Sequence, residues 1–297
     1  MKYIYLLSLL LATQITNAQS NKAADPFLDS LSYHTFQFFW QLGNTDNAQI
    51  PDRWPTDNFS SIAATGFGLT SYVIGVEQKY VSRKAAAERV LRTLQFLQTL
   101  PKGNQMSGVA GYKGFFYHFL DQKTGLRFKT VELSTIDTGL LMAGILVCMT
   151  YFDADDATER AIRDLADQLY RAVEWDWAMN GKPTMSMGWF PDRGFLESSW
   201  RGYNEAMVLL VMAIGSPTHP IKAEAWRAWT ETYQWRQHLG QEYVNFGPLF
   251  GHQYSHCYID FRGIKDDYMR TKGIDYFENS RRATLANWKH CTLNPGG

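Results

Sequence analysis

Two acidic side chains stand where acids are rare. Asp137 is the one charge in an apolar stretch over residues 134–152, and Glu205 opens another over 200–214, with Arg201 as its only charged companion. Two carboxyl groups can cleave a glycosidic bond, one donating a proton to the leaving oxygen and the other activating water. A partly desolvated carboxyl keeps its proton near neutral pH. First-turn acids also suit the helix dipole without any catalysis. Glu132, just ahead of the first stretch, fits either role.

The segments beside these acids mix rings with polar groups. Tyr112, Phe115, Phe116, Tyr117 and His118 cluster in one, Trp189 to Arg193 in a second, and Trp200, Tyr203 and Asn204 adjoin Glu205. Sugars have apolar C–H faces and hydroxyl rims, so rings edged by Asn, Arg and His suit them. His252, Tyr254 and His256 form a third group. The two histidines are four apart but lack the glutamate of H-E-x-x-H, so hydrogen bonding is expected of them rather than metal ligation. No metal and no cofactor is expected.

Positioning these groups falls to helices of two kinds. The stretches 59–79, 134–152 and 200–214 are apolar nearly all round, whereas 83–99, 157–177 and 220–236 carry charges on one side. Helices of the first kind must be buried on every side, and those of the second half-buried. Helices are also expected over 27–42 and 277–290. Alternation of the two kinds predicts two concentric layers of helical hairpins, an all-α (α/α) toroid, with eight helices making four hairpins. Connections from apolar to charged helices are short. The reverse connections, 100–133, 178–199 and 237–275, are long and would gather on the face where Asp137 and Glu205 begin their helices. Within the first, Phe115–Leu120 and Leu126–Val131 flank a turn at 121–125, which predicts a β-hairpin.

The composition agrees with a large globular core. Of 297 residues, 45% are hydrophobic and 20% charged, and 29 basic residues balance 29 acidic ones. That balance argues against a nucleic-acid partner or a polybasic membrane anchor. Lys2 and the apolar run from Ile4 to Ala12, with small residues near Ala18, read as a signal peptide over 1–18, leaving 19–297 as one exported domain, periplasmic or secreted. Cys148, Cys257 and Cys291 are expected to be mostly buried thiols.

Six runs carry a family resemblance: FSSIAATGFGLTSY (59–72), GYKGFFYHFLDQKTGLRF (111–128), ELSTIDTGLLMAG (132–144), SMGWFPDRGF (186–195), WRGYNEAM (200–207) and FGPLFGHQYSHCYIDFRGI (246–264). From about residue 25 onward the chain resembles the bacterial glucoamylase-like family, close to the β-1,2-glucan hydrolases of glycoside hydrolase family 144. The resemblance implies an (α/α)6 toroid of six hairpins, secretion, and inverting hydrolysis of β-linked glucan. It places the family's acids on Asp137 and Glu205, with Glu132 as a third. It also implies that the toroid is C-terminally incomplete here, and that the full-length protein is a monomer acting on a glucan oligosaccharide. The alternatives are a non-catalytic carbohydrate-binding fragment and a hydrolase of another glucan, such as an α-glucan.

Overall fold

The computed structural model describes residues 25–294, so the expected signal peptide lies outside the described residues. Ten α-helices run in chain order: α1 (Pro26–Leu42), α2 (Ile62–Glu77), α3 (Arg83–Thr99), α4 (Thr135–Tyr151), α5 (Ala157–Arg171), α6 (Trp175–Ala178), α7 (Met207–Ile214), α8 (Glu224–Thr230), α9 (Asp267–Lys272) and α10 (Tyr276–Leu293). Among the described residues nine short strands lie between them: β1 (Phe59–Ser61), β2 (Gly111–Tyr112), β3 (Phe115–Phe116), β4 (Phe119–Asp121), β5 (Leu133–Ser134), β6 (Gly188–Phe190), β7 (Gly194–Phe195), β8 (Trp235–His238) and β9 (Gln241–Val244).

The apolar helices pack on one another. α4 lies between α2 and α7, while the charged helices α3 and α5 pair with each other and back onto α2 and α4. The α2–α4 crossing is close because glycines face backbone there. A Cβ on Gly66 would overlap the Leu140 carbonyl, and one on Gly144 would overlap the Gly66 carbonyl. Side-chain caps set several helix starts: Ser61, Ser82 and Ser134 accept from the third residue on, as do Asp156 and Asp275.

An ion pair between half-exposed Arg83 and buried Glu159 ties the outer layer together. The Arg83 guanidinium bonds Glu159 through Nε at 2.7 Å and Nη2 at 2.8 Å, and also reaches the Tyr151 carbonyl. Glu159 is nearly sealed, and Arg83 holds its carboxyl below the ordinary glutamate value. Arg83→Ala should therefore cost about 2 kcal/mol by leaving a buried carboxylate short of donors. The pair's contribution is present above the unfolded glutamate pKa and fades as pH falls through the depressed folded value. Denaturant melts of both proteins at pH 7 and below pH 4 check this, since the gap between them should narrow in acid.

The structure amends several boundaries. Residues 59–61 are strand β1, paired antiparallel with β4, rather than helix. The helix expected over 157–177 breaks after Arg171 and resumes as α6. The one expected over 200–214 begins only at Met207, because Gly202 takes a left-handed φ of 73°. The one expected over 220–236 shortens to α8, and residues 235–244 form the β8–β9 hairpin. Short α9 was not foreseen. The expected hairpin at 121–125 does close, with Asp121 N–H bonding the Leu126 carbonyl at 2.8 Å. Its first half, however, is split between β3, which pairs with β2, and β4, which pairs with β1. Among the cysteines only Cys148 is buried; Cys257 and Cys291 are exposed, and all three are free. No helix among the described residues is long and apolar enough to cross a membrane.

Candidate active site

Strands run directly into the apolar helices, β1 into α2 and β5 into α4, so the long connections meet at those helix starts. β5 pairs with β6, joining the 100–133 and 178–199 connections. Between them the backbone of residue 118 is held twice: its N–H donates to the Glu132 carbonyl at 2.9 Å, and its carbonyl accepts from Ile62 N–H, the first residue of α2, at 3.2 Å.

This framework brings His118, Glu132 and Asp137 together. The imidazole places Nδ1 2.7 Å from Glu132 Oε1 and Nε2 3.6 Å from Asp137 Oδ2. Asp137 stands in the first turn of α4, and the Ser134 hydroxyl, which caps that helix, also donates to Asp137 Oδ2. Burial raises the Asp137 pKa, and the charge of His118 and the Ser134 hydroxyl oppose that rise only in part. Burial also disfavours an ionised Glu132, but His118, together with a backbone N–H and the Arg127 charge, holds this carboxyl low. For His118 burial alone would lower the pKa, yet Glu132, Asp137 and Asp52 together raise it.

Glu205 sits in the turn before α7, the helix that packs against α4. Its carbonyl accepts from Ser255 Oγ at 3.0 Å, while that same oxygen accepts Val208 N–H at 3.0 Å. A serine 47 residues downstream in sequence thus supplies the cap that α7 lacks locally. Glu205 Oε2 is buried without a partner. Burial, and then the Asp137 charge, raise the Glu205 pKa. The charges of Glu205 and Asp137 both reach half-buried Tyr254, whose ring packs edge-on to Phe67 of α2, centroids 5.0 Å apart. Asp137, Glu205 and Tyr254 therefore share one neighbourhood at the α2, α4 and α7 starts.

The remaining expected sugar contacts divide. Trp189 of β6 is partly exposed and stacks on Tyr112 at 5.2 Å, offering an aromatic face beside the strand that leads to Asp137. Arg193 lies over Phe190 at 3.7 Å. Other candidates are packing groups. Tyr117 is fully buried under Arg127. Trp200 is buried with its indole N–H donated to Thr135 at 2.9 Å. Tyr203 is buried in a cluster with Trp229, Tyr233 and Tyr276. Asn204 is buried, and its side-chain oxygen accepts Ala206 N–H at 3.0 Å. His252 is buried, with Nε2 3.2 Å from the Phe246 carbonyl, and desolvation lowers its pKa to about 4. His256 packs on Phe261. These residues occupy a loop face, but their rings turn toward the interior. No group of three or more potential metal ligands occurs among the described residues.

Sequence reading passed over two residues that hold the acids. Ser134 was legible from the Ser-x-x-Asp spacing to Asp137. Ser255 was not, because nothing local links it to Glu205.

A broad concave surface lies elsewhere. A groove of about 740 Å³ runs along the C-terminal half of α4, between Val73 of α2 and Val208 and Val211 of α7. Val147, on its wall, is about 15 Å along the helix from Asp137.

A family model described as "Putative glucoamylase" matches residues 197–297. A solved structure from Bacteroides uniformis, described in the same words, superposes with a TM-score of 0.80 at 29% identity, over 91% of this chain and 67% of that one. The endo-β-1,2-glucanase of Chitinophaga pinensis superposes with a TM-score of 0.78 at 27% identity, over the same shares. The resemblance to the glucoamylase-like family is borne out. Among curated proteins, an exo β-1,2-glucooligosaccharide sophorohydrolase of Parabacteroides distasonis is 26% identical over 92% of this chain and 41% of its own length. The chain thus spans about two fifths of that curated relative and two thirds of the solved structures.

Proposed function

We propose that this protein is an exported, inverting glycoside hydrolase acting on β-1,2-glucan or sophoro-oligosaccharides. The observation that carries the reading is the contrast between two neighbouring acids. Burial raises the pKa of both, but only Glu205 has a buried oxygen without a partner, which suits a proton donor. Asp137 has one oxygen engaged by Ser134 and faces the imidazole of His118, which suits a carboxylate held ready as base. The relatives named for β-1,2-glucans supply the substrate class.

The step balances with these groups alone. Water oxygen bonds the anomeric carbon as that carbon's bond to the leaving oxygen breaks. The water proton passes to Asp137, and the leaving oxygen takes the Glu205 proton. Glu132 acts through His118, and Trp189 stacks on a glucose face. The architecture we propose is the (α/α)6 toroid: α2, α4 and α7 belong to its inner ring, and the apolar groove along α4 is the wall against which further inner helices pack. In this reading residues 1–18 direct export to the periplasm.

Linear β-1,2-glucan and starch, each incubated with the protein and followed by proton NMR at early times, test the reading. Release from β-1,2-glucan alone, with the α-anomer of the product appearing first, is expected. Release from starch, a β-anomer first, or calorimetric binding without release would each count against it.

A further inference from the structure

His118 is held through both its backbone and its ring. Its backbone is pinned between Glu132 and the start of α2, and its ring lies over Phe119 with centroids 3.9 Å apart and planes 27° apart. Nδ1 is at hydrogen-bond distance from Glu132 and Nε2 faces Asp137. An ionised glutamate can only accept, so Nδ1 must carry a proton. With Nδ1 so occupied, a neutral ring would present a lone pair on Nε2 to an oxygen of Asp137. The contact is attractive only if a further proton lies between them, on the imidazole or on the aspartic acid.

Burial of Asp137 favours the proton on the acid, but two features draw it to the ring. Glu132 at 2.7 Å stabilises a positive ring, and Asp52 adds negative charge from the segment before β1. The Ser134 hydroxyl already donates to the Asp137 oxygen that faces the ring, which favours the carboxylate. The charge of Arg127 also helps to keep Glu132 ionised. We infer that His118 is a positioning residue whose imidazolium, anchored by Glu132, holds the second proton and so leaves Asp137 ionised for its role as base. The inference rests on Asp137 being the base. Three acids at one end of the helix layer then carry distinct states: Glu132 and Asp137 ionised across a charged ring, Glu205 protonated.

Imidazole nitrogen–proton correlation spectra, recorded across a pH titration of the protein, read the ring directly; His118→Gln identifies the His118 signals. The wild-type ring should hold its second proton above the ordinary histidine midpoint of about 6.5 and keep its Nδ1 proton after losing it. Glu132→Gln should lower the midpoint by about one pH unit, as expected for loss of a hydrogen-bonded charge. A wild-type midpoint at or below 6.5, or a proton retained on Nε2 in the neutral ring, overturns the inference even if the variants fail to fold. An unchanged midpoint in a folded Glu132→Gln does the same. The titration needs no turnover. A protein that titrates as expected but hydrolyses no glucan would sink the proposed function and leave the charged bridge standing.

Discussion

Glu205→Gln should slow glucan hydrolysis by about a thousandfold while leaving thermal stability close to that of the parent. General-acid catalysis is worth roughly 10²–10⁴ in rate, and glutamine keeps the shape of the side chain but has no proton to give. The fold should tolerate the change because Glu205 Oε2 bonds nothing, while the backbone carbonyl that anchors Ser255 is untouched. Glutamine also matches the size and neutrality of a carboxyl whose burial favours its protonated form. Rates on β-1,2-glucan and melting curves of both proteins check the pair of expectations. Near-normal turnover would remove Glu205 from the chemistry. Lost turnover together with a large fall in melting temperature would point to a structural role.

Gly144→Val should be the most damaging single substitution outside the site. Its side chain would enter the space of the Gly66 backbone where α2 meets α4, and neither backbone can step aside without opening the layer. Overpacking of this kind costs more than about 3 kcal/mol when backbone must move. For a domain of this size that corresponds to a fall of roughly 6–12 °C in melting temperature. Gly66→Val should behave alike, since its Cβ would strike the Leu140 carbonyl. Gly247→Ala is the control: nothing lies within 4 Å of its added carbon and its φ is not left-handed, so a change within about 0.5 kcal/mol is expected. Equal melting temperatures for all four proteins would mean that the two helices do not cross at these glycines.

The layer of apolar helices was legible because burial on all sides needs apolar or small residues nearly everywhere, a pattern that α2 and α4 break with a charge only at Glu77 and Asp137. Charged α3 and α5 were legible from their one-sided charge. What escaped was set at a distance. β1 finds β4 about sixty residues away, and β5 finds β6 more than fifty away; two- and three-residue strands leave no alternation to read. The late start of α7 follows from Gly202 and from a cap lent by Ser255.

The acids could be picked out because a charge in an apolar helix is conspicuous. The sugar-contact candidates were less reliable for a physical reason: an aromatic beside a polar residue in a loop looks the same whether its ring covers a ligand or fills the core. Trp200 and Tyr203 fill the core, whereas Trp189 and Tyr254 remain partly open.

A crystal of the Glu205→Gln protein soaked with a β-1,2-linked gluco-oligosaccharide would test the pairing of these two acids most directly. A glycosidic oxygen should lie within hydrogen-bond reach of residue 205, with a water held by Asp137 on the opposite face of the same sugar ring. Sugar seated with either residue out of reach of the bond, or along the apolar groove of α4 instead, would contradict it.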